Sequence, residues 1–225
     1  MKKILLSALC ALGFWTMSSN ANAQLLADIE GMPPYKLGVT VGVNVSDFTG
    51  NACSAKAGFN IGADLMLDAS DLLNNTYLRV NLLLQRKGSV YDWADDWAGA
   101  GPTGMALPKD SKIRTWYIEI PLDYGYAHRI NRDWTLLGEM GPYFALGIGG
   151  KYNFDIAGKK EKISYFGSDS LDDPKRFDVG WGFAVGGMLN NQHQIKLGYQ
   201  FGFIDMSKLM KQNRNFMINY TYFFE

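Results

Sequence analysis

The sequence alternates apolar and polar residues with a period of two through eight segments, and this feature constrains the fold most strongly. In the segment at 35–46, Val39 and Val41 share one face while Thr40 and Asn44 share the other. Successive side chains of a strand point to opposite faces of a sheet. The pattern therefore predicts eight strands, at 35–46, 55–67, 77–87, 113–127, 134–154, 177–189, 194–203 and 215–224.

Composition agrees with an all-β chain and excludes other classes. Aromatic residues make up 14% of the 225 residues and there are 25 glycines, a combination that suits strands and turns better than a helical bundle. The 22 basic and 22 acidic side chains cancel, so no overall field attracts a polyanion. We therefore expect no nucleic-acid partner.

The first 23 residues predict a secretory signal peptide. Two lysines precede an apolar run at 4–17, and the small-residue triplet Ala-Asn-Ala follows it. Cleavage is expected between Ala23 and Gln24, which leaves residues 24–225 as the barrel domain. Beyond the signal, no stretch approaches 18 uninterrupted apolar residues, so no transmembrane helix is predicted. Cys53 is the one cysteine beyond the signal, so an internal disulfide is excluded.

The two faces of the strands favour a membrane location. The apolar faces carry large aliphatic and aromatic side chains on every strand, whereas the polar faces carry glycines and the charges Lys36, Lys56, Asp64, Arg79, Glu119, Asp123, Glu139 and Lys196. An outer-membrane barrel places lipid against the apolar row and pairs charges in its lumen. We predict an eight-stranded antiparallel up-and-down transmembrane β-barrel with a filled polar lumen. The alternative is a soluble periplasmic ligand-binding barrel with its apolar face inside.

The luminal charges define the first candidate site. It comprises six residues on five predicted strands: Lys56, Arg79, Glu119, Asp123, Glu139 and Lys196. The short turn near residue 130 leads us to expect Glu119 opposite Glu139, where the carboxylates repel unless a cation lies between them. Arg79 is the nearest such cation. A neutralised salt-bridge core is the favoured interpretation, and a proton- or cation-sensitive gate is the other.

The loop after the third strand is the second candidate site. It combines rings and carboxylates, namely Tyr91, Trp93 and Trp97 with Asp92, Asp95 and Asp96. Rings of this kind stack on a sugar, and carboxylates accept hydrogen bonds from its hydroxyls. Surface glycans or other envelope proteins are therefore the candidate partners besides outer-membrane lipid. Alternatively, these rings pack the loop onto the barrel rim.

The sequence does not predict an enzyme. Its two histidines, His128 and His193, fall in predicted periplasmic turns, and no Ser, His and acid arrangement has a plausible spacing. We therefore predict no catalytic, cofactor-binding or metal-binding residues.

Two prolines interrupt the strand pattern. Pro121 and Pro142 each remove a backbone donor from a ladder that has no free edge. We predict a β-bulge at each position.

Six segments carry a family resemblance. The segments LRVNLLLQRKG, WYIEIPLDYGY, GPYFALGIGG, FDVGWGFAVGG, IKLGYQFGFIDMS and NRNFMINYTYFF resemble, in order, the strand motifs of the PorT-like outer-membrane β-barrel family common in Bacteroidetes. The resemblance implies the same fold and an accessory role in protein secretion or envelope assembly. One position departs from the family: Asn81 stands where many members carry an acidic residue. Outer-membrane barrels also usually end on an aromatic residue, whereas here Glu225 follows Phe224.

These observations predict a small outer-membrane barrel with a structural or surface-interaction role. A PorT-like accessory of secretion is the alternative within the membrane, and a soluble periplasmic carrier is the alternative outside it.

Overall fold

The structure is a computed structural model that describes residues 35–49, 53–91, 109–156, 159–166, 174–207 and 210–224. The predicted signal peptide with its cleavage site at Ala23 and Gln24 lies outside these residues. The central part of the predicted binding loop, with Trp93 and Trp97, also lies outside them.

Nine strands are described, and eight of them close into an antiparallel barrel. The strands are β1 (Tyr35–Phe48), β2 (Cys53–Asp68), β3 (Thr76–Tyr91), β4 (Lys109–Arg129), β5 (Trp134–Ile156), β6 (Lys159–Ser164), β7 (Phe177–Leu189), β8 (His193–Gly202) and β9 (Asn213–Phe223). Each barrel strand pairs with its neighbours, β1 pairs with β9, and β4 pairs with β5, so the sheet has no seam. The short strand β6 pairs only with the last residues of β5 and extends that hairpin. The predicted eight-stranded antiparallel barrel is confirmed.

The two ends of the barrel differ in their connections. Short turns at 69–75, 130–133 and 190–192 lie at one end, here called the turn end, together with the start of β1 and the end of β9. Asn190 and Asn191 both have positive φ, 51° and 58°, which asparagine tolerates in tight hairpins. The opposite end, here called the loop end, has the longest connections, of which the one at 92–108 joins β3 to β4. In outer-membrane barrels short turns face the periplasm and longer loops face outward.

The outer face of the barrel is apolar. The side chains of the predicted apolar rows point outward, as Val41 at 48% and Val185 at 63% relative exposure illustrate. A surface with this many exposed aliphatic and aromatic residues requires an apolar environment. The described residues include no helix of the length and apolar character needed to cross a bilayer.

The predicted bulges at the prolines are wrong. The register between β4 and β5 is the same on both sides of Pro121 and Pro142, although pairing is lost between Pro121 and Tyr124. The pairing of β3 with β4 is likewise lost between Val80 and Leu83 without a change of register. Proline has no backbone N–H to donate, so inter-strand hydrogen bonds are lost locally, but the register of the strands does not change.

Bulges occur instead towards the loop end. One extra residue enters β2 between Ala55 and Asn60, opposite β3, and a second register shift follows Trp116, where Ile148 is the extra residue of β5. An extra residue reverses the side on which later side chains emerge. Next to the first bulge, β1 reaches across to β3, since the Ser46 hydroxyl donates to the Gly88 carbonyl at 2.9 Å.

The outward direction of Val41 gives a test of the barrel's orientation to lipid. We expect Val41→Lys to lower the free energy of unfolding in lipid vesicles by about 2–4 kcal/mol, because a charge then lies near the middle of the apolar band. Tyr35→Lys at the turn end of the same row is the matched control, with an expected loss of about 0–1 kcal/mol. Urea unfolding followed by tryptophan fluorescence measures both. Equal losses would contradict the assignment of the outer face to lipid.

Candidate functional site

The inner face of the barrel carries a dense set of buried polar side chains. Those with 0% to 2% relative exposure include Thr40, Asn44, Asn60, Asp64, Arg79, Gln85, Lys87, Glu119, Asp178, Gln194, Asn215 and Thr221. Buried charges are stable only when they are paired and hydrogen-bonded. The way these groups pair therefore determines what the interior is able to do.

The charged groups nearer the turn end form a cluster, here called the lower ion layer (Asp64, Arg79, Asp123, Glu139 and Lys196). Arg79 Nε donates to Asp64 Oδ1 at 3.0 Å, and Arg79 Nη1 donates to Glu139 Oε2 at 3.1 Å. Lys196 Nζ forms an ion pair with Glu139 Oε1. Asp123 lies opposite Arg79 in the register of β3 and β4. Two cations thus pair with the carboxylates of Asp64 and Glu139, and Asp123 lies beside them on the neighbouring strand.

Tyr77 supports the lower ion layer from below. Its hydroxyl donates to Glu139 Oε2 at 3.0 Å. A Cβ on Gly125 would lie 2.2 Å from the Tyr77 ring, so only glycine leaves space for the ring at this position. Tyr77 also belongs to an apolar cluster that closes the turn end of the interior, with Met66, Ala127, Leu137, Met188 and Phe223.

A second cluster, of three charged side chains and one amide, lies nearer the loop end and is here called the upper ion layer (Lys87, Glu119, Asp178 and Gln200). Lys87 Nζ lies 2.6 Å from Glu119 Oε2, and Gln200 Nε2 donates to Glu119 Oε1 at 2.6 Å. The Tyr143 hydroxyl donates to Asp178 Oδ2 at 3.0 Å. Lys87 Nζ also lies 5.0 Å from the centre of the Tyr143 ring, a cation–π contact.

Between the two ion layers lies a small cavity of about 30 Å³. Asp123, Glu139 and Lys196 of the lower layer and Tyr143 and Gln200 of the upper region line it. That volume accommodates about two water molecules. The interior of the described barrel therefore holds polar side chains at the places where a wider barrel would hold solvent.

An apolar cluster covers the upper ion layer at the loop end and is here called the apolar cap. It comprises Phe48, Tyr91, Ile113, Tyr117, Tyr143, Ala145, Tyr152, Tyr165, Phe166, Met206 and Met210. Phe166 packs edge-on against Tyr165 with ring centres 4.7 Å apart, and its ring fills the space a Cβ on Gly147 would need. The described residues Tyr165 and Phe166, after β6, and Met206 and Met210, after β8, thus lie over the barrel mouth.

The structure places the six predicted luminal charges in three groups. Arg79, Asp123, Glu139 and Lys196 come together in the lower ion layer. Glu119 lies apart from them in the upper ion layer. The expected juxtaposition of Glu119 and Glu139 is wrong, because the hairpin register pairs Glu119 with Ala145 and Glu139 with Gly125.

Lys56 does not point into the lumen, contrary to the prediction. The bulge in β2 reverses the alternation, and Lys56 Cδ lies 3.0 Å from the position of a Cβ on Gly88, on the outward row of β3. The positive charges of Arg86, Lys112 and Arg114 are close enough to repel it. Lys56 therefore belongs to the outer surface near the loop end.

Tyr91 is not available for surface binding, which corrects its assignment to the predicted binding loop. It is the last residue of β3, has 4% relative exposure and packs in the apolar cap. The other five residues of that assignment, Asp92, Trp93, Asp95, Asp96 and Trp97, lie outside the described part of the chain.

Three charged members of the interior clusters were absent from the predicted network. Asp64, Lys87 and Asp178 all lie on the polar rows of their segments, so alternation alone identifies them as inward. Their partners do not follow from alternation. Asp64 meets Arg79, and Lys87 meets Glu119, because neighbouring strands are staggered in a closed barrel.

The histidines are remote from both ion layers. His128 is exposed at the turn end, and His193 Nδ1 lies 2.8 Å from the Tyr220 hydroxyl at the same end. Within the described ranges, no group of three or more His, Cys, Asp and Glu side chains is arranged to hold a metal ion.

Comparison with known proteins adds the following similarities. The family profile described as outer membrane protein beta-barrel domain matches residues 7–224. Three solved structures are similar at low identity. For Neisserial surface protein A (NspA), the identity is 11% and the TM-score 0.44, over 84% of this chain and 97% of that one. For OprG from Pseudomonas aeruginosa, the identity is 11% and the TM-score 0.47, over 88% and 100% of the chains.

The third structure is Ail, the attachment invasion locus protein of Yersinia pestis, in complex with the heparin analogue sucrose octasulfate. Its identity is 15% and its TM-score 0.38, over 84% of this chain and 99% of that one. No curated protein matches this chain in sequence.

The lower ion layer predicts a large effect of removing its central cation. We expect Arg79→Met to lower the free energy of unfolding by about 3–5 kcal/mol, because two buried carboxylates lose their shared partner. Adding Asp64→Leu to that variant should recover part of the loss, since one uncompensated charge is then removed. Urea unfolding in lipid vesicles measures the three proteins. A loss below about 1 kcal/mol in Arg79→Met would contradict the pairing described here.

Proposed function

The chain belongs to the family of outer membrane protein beta-barrel domains, and on that premise we propose a role as a non-conducting barrel that anchors interaction loops at the cell surface. Its place is the outer membrane. The barrel supplies a rigid support, and the segments between strands at the loop end carry the binding function. Catalysis is no part of this role.

One observation carries the proposal: the interior is obstructed at successive levels. The lower ion layer, the upper ion layer and the apolar cap follow one another from the turn end to the loop end. A solute would have to break buried ion pairs and displace Tyr165 and Phe166 to pass. This arrangement supports an anchoring role over transport.

The segment at 92–108 is the first candidate for the interaction itself. It begins directly after Tyr91, which the apolar cap holds in place, so the loop starts from a fixed point. Its sequence brings Trp93 and Trp97 together with acidic residues, a mixture that favours sugars. Surface glycans and neighbouring envelope proteins are the proposed partner classes, next to the lipid that surrounds the barrel.

The resemblance to the PorT-like group supports a second candidate role, as an accessory of protein secretion or envelope assembly. A non-conducting barrel is compatible with this role, because an accessory acts through contacts with other envelope proteins. The two roles differ in the partner captured at the loop end. A secretion component there would favour the accessory, and a glycan would favour the surface-binding role.

The obstructed interior predicts an absence of conductance. We expect the purified protein to show no stepwise ion currents in a planar bilayer. Tyr165→Ala combined with Phe166→Ala should also remain silent, because both ion layers still close the interior below the cap. A heat-dependent mobility shift on an SDS gel confirms that each sample is a folded barrel. Regular current steps in the unaltered protein would overturn the proposal.

The loop assignment predicts a selective loss of binding. We expect the protein in detergent to bind a panel of immobilised surface polysaccharides, and Trp93→Ala with Trp97→Ala to reduce that binding about tenfold or more, since each stacked ring contributes roughly 0.5–1.5 kcal/mol. Trp134→Ala, at the turn end, is the matched control and should bind as the unaltered protein does. A loss shared by all variants would contradict the assignment of binding to this loop, and no binding by the unaltered protein would remove glycans as partners.

A further inference from the structure

Five basic side chains form a patch on the outside of the barrel near the loop end. This basic rim patch comprises Lys56 of β2, Arg86 of β3, Lys112 and Arg114 of β4, and Lys151 of β5. Lys112, Arg114 and Lys151 are exposed, and the other two are half-buried. The patch therefore spans four adjacent strands on one side of the molecule.

Two of the bulges near the loop end bring two of these lysines to the patch. On the turn-end side of the irregularity at 55–60, the even-numbered residues Asn60, Asp64 and Met66 of β2 point inward, whereas Lys56, within the irregularity, emerges on the outside. The bulge at Ile148 does the same for Lys151, which pairs with the outward residue Arg114. Bulges commonly redirect a side chain towards a functional place.

Among the residues that the structure describes, the patch concentrates like charge without a paired carboxylate. Arg114 and Lys151 are directly opposite each other on neighbouring strands, a placement that destabilises a sheet. All four ion pairs among the described residues lie inside the barrel, so none of them involves a patch residue. On the outward row of β5, the described carboxylate of Asp155 lies further up, opposite Lys109. An anion from outside the chain would relieve this repulsion.

The patch lies at the edge of the lipid-facing surface. Arg86 packs on the Phe59 and Trp116 rings, with its Cζ 6.0 Å and 5.9 Å from the ring centres. Below them on β4 comes Ile118, an apolar residue of the outer band, and above them come Arg114 and Lys112. Aromatic rings at the end of an apolar band mark the level of the lipid headgroups. The patch thus begins where the headgroups begin.

We propose that the basic rim patch binds the phosphate groups of a phosphorylated glycolipid in the outer leaflet. Phosphate matches the patch in charge, and guanidinium and ammonium donors form strong charge-assisted hydrogen bonds with its oxygens. The continuous row from Ile118 through Trp116 to Arg114 fits a ligand with an acyl chain below and an anionic group above. A soluble polyanion would use the cations but not the apolar part of this row.

The test compares two forms of one lipid on the intact protein. Native mass spectrometry in detergent measures binding of bisphosphorylated lipid A and of the same lipid after removal of its phosphates. We expect the unaltered protein to prefer the phosphorylated form about tenfold or more, and Lys112→Gln with Arg114→Gln to lose that preference, because each cation near an anionic surface contributes measurably to binding. Both substituted side chains are exposed, so the barrel should still fold, which a heat-dependent shift on an SDS gel checks.

A matched variant and a competitor keep the result decisive. Arg129→Gln with Arg132→Gln removes the same charge at the turn end, where both residues are exposed, and should keep the preference. Equal binding of the two lipid forms to the unaltered protein would overturn the proposal. An equal loss in the turn-end variant would do so too. If soluble polyphosphate displaced the lipid and bound equally tightly by itself, the patch would be a general polyanion surface and the lipid assignment would be wrong.

Discussion

The narrow interior of an eight-stranded barrel is the constraint on which the other features depend. In the membrane-spanning part, every second residue of a strand faces a narrow interior with little room for solvent, while the alternate residues meet lipid. Charges such as Arg79 and Glu119 are therefore removed from water on folding, and they persist only as partners of other charges. The separation of two ion layers by a cavity of about 30 Å³ is one solution to that requirement.

The same pairing gives the barrel a preferred register. A slip of one residue between β3 and β4 would turn Arg79 towards lipid and leave Asp64 and Glu139 without their shared cation. Buried ion pairs contribute little net stability compared with apolar packing, yet a wrong arrangement of them is strongly unfavourable. We infer that the ion layers discriminate between alignments more than they add to stability. The apolar clusters at each end, around Tyr77 and around Phe166, supply ordinary packing.

The sequence was sufficient to predict the strands and the direction of most side chains, because alternation depends only on a period of two. It placed Arg79, Glu139 and Lys196 inside, and the structure agrees. It failed where geometry depends on neighbouring strands. The partner of Glu119 depends on the stagger between neighbouring strands, and the direction of Lys56 depends on an extra residue in β2. The prolines predicted bulges at Pro121 and Pro142, whereas the extra residues lie elsewhere. Tyr91 was misassigned because the strand continues beyond the predicted end at residue 87.

The failures at Lys56 and Tyr91 have one physical origin, which also explains the surface of the molecule. Strands β3 to β5 continue at the loop end beyond the level at which β7 begins and β8 ends, as β5 does beyond Leu146, which pairs with Phe177. Together with the adjoining part of β2, their upper parts form a wall above the apolar band. Because this wall does not face the apolar core of the bilayer, its strands need not keep a strict alternation of apolar outward and polar inward side chains. The bulges in β2 and β5 occur there, and they direct Lys56 and Lys151 outward beside Arg114. In the membrane-spanning part, a bulge that exposed a lysine would be opposed by lipid. At the rim, the same change gathers positive charge at the headgroup level, where anionic groups are the natural counterpart.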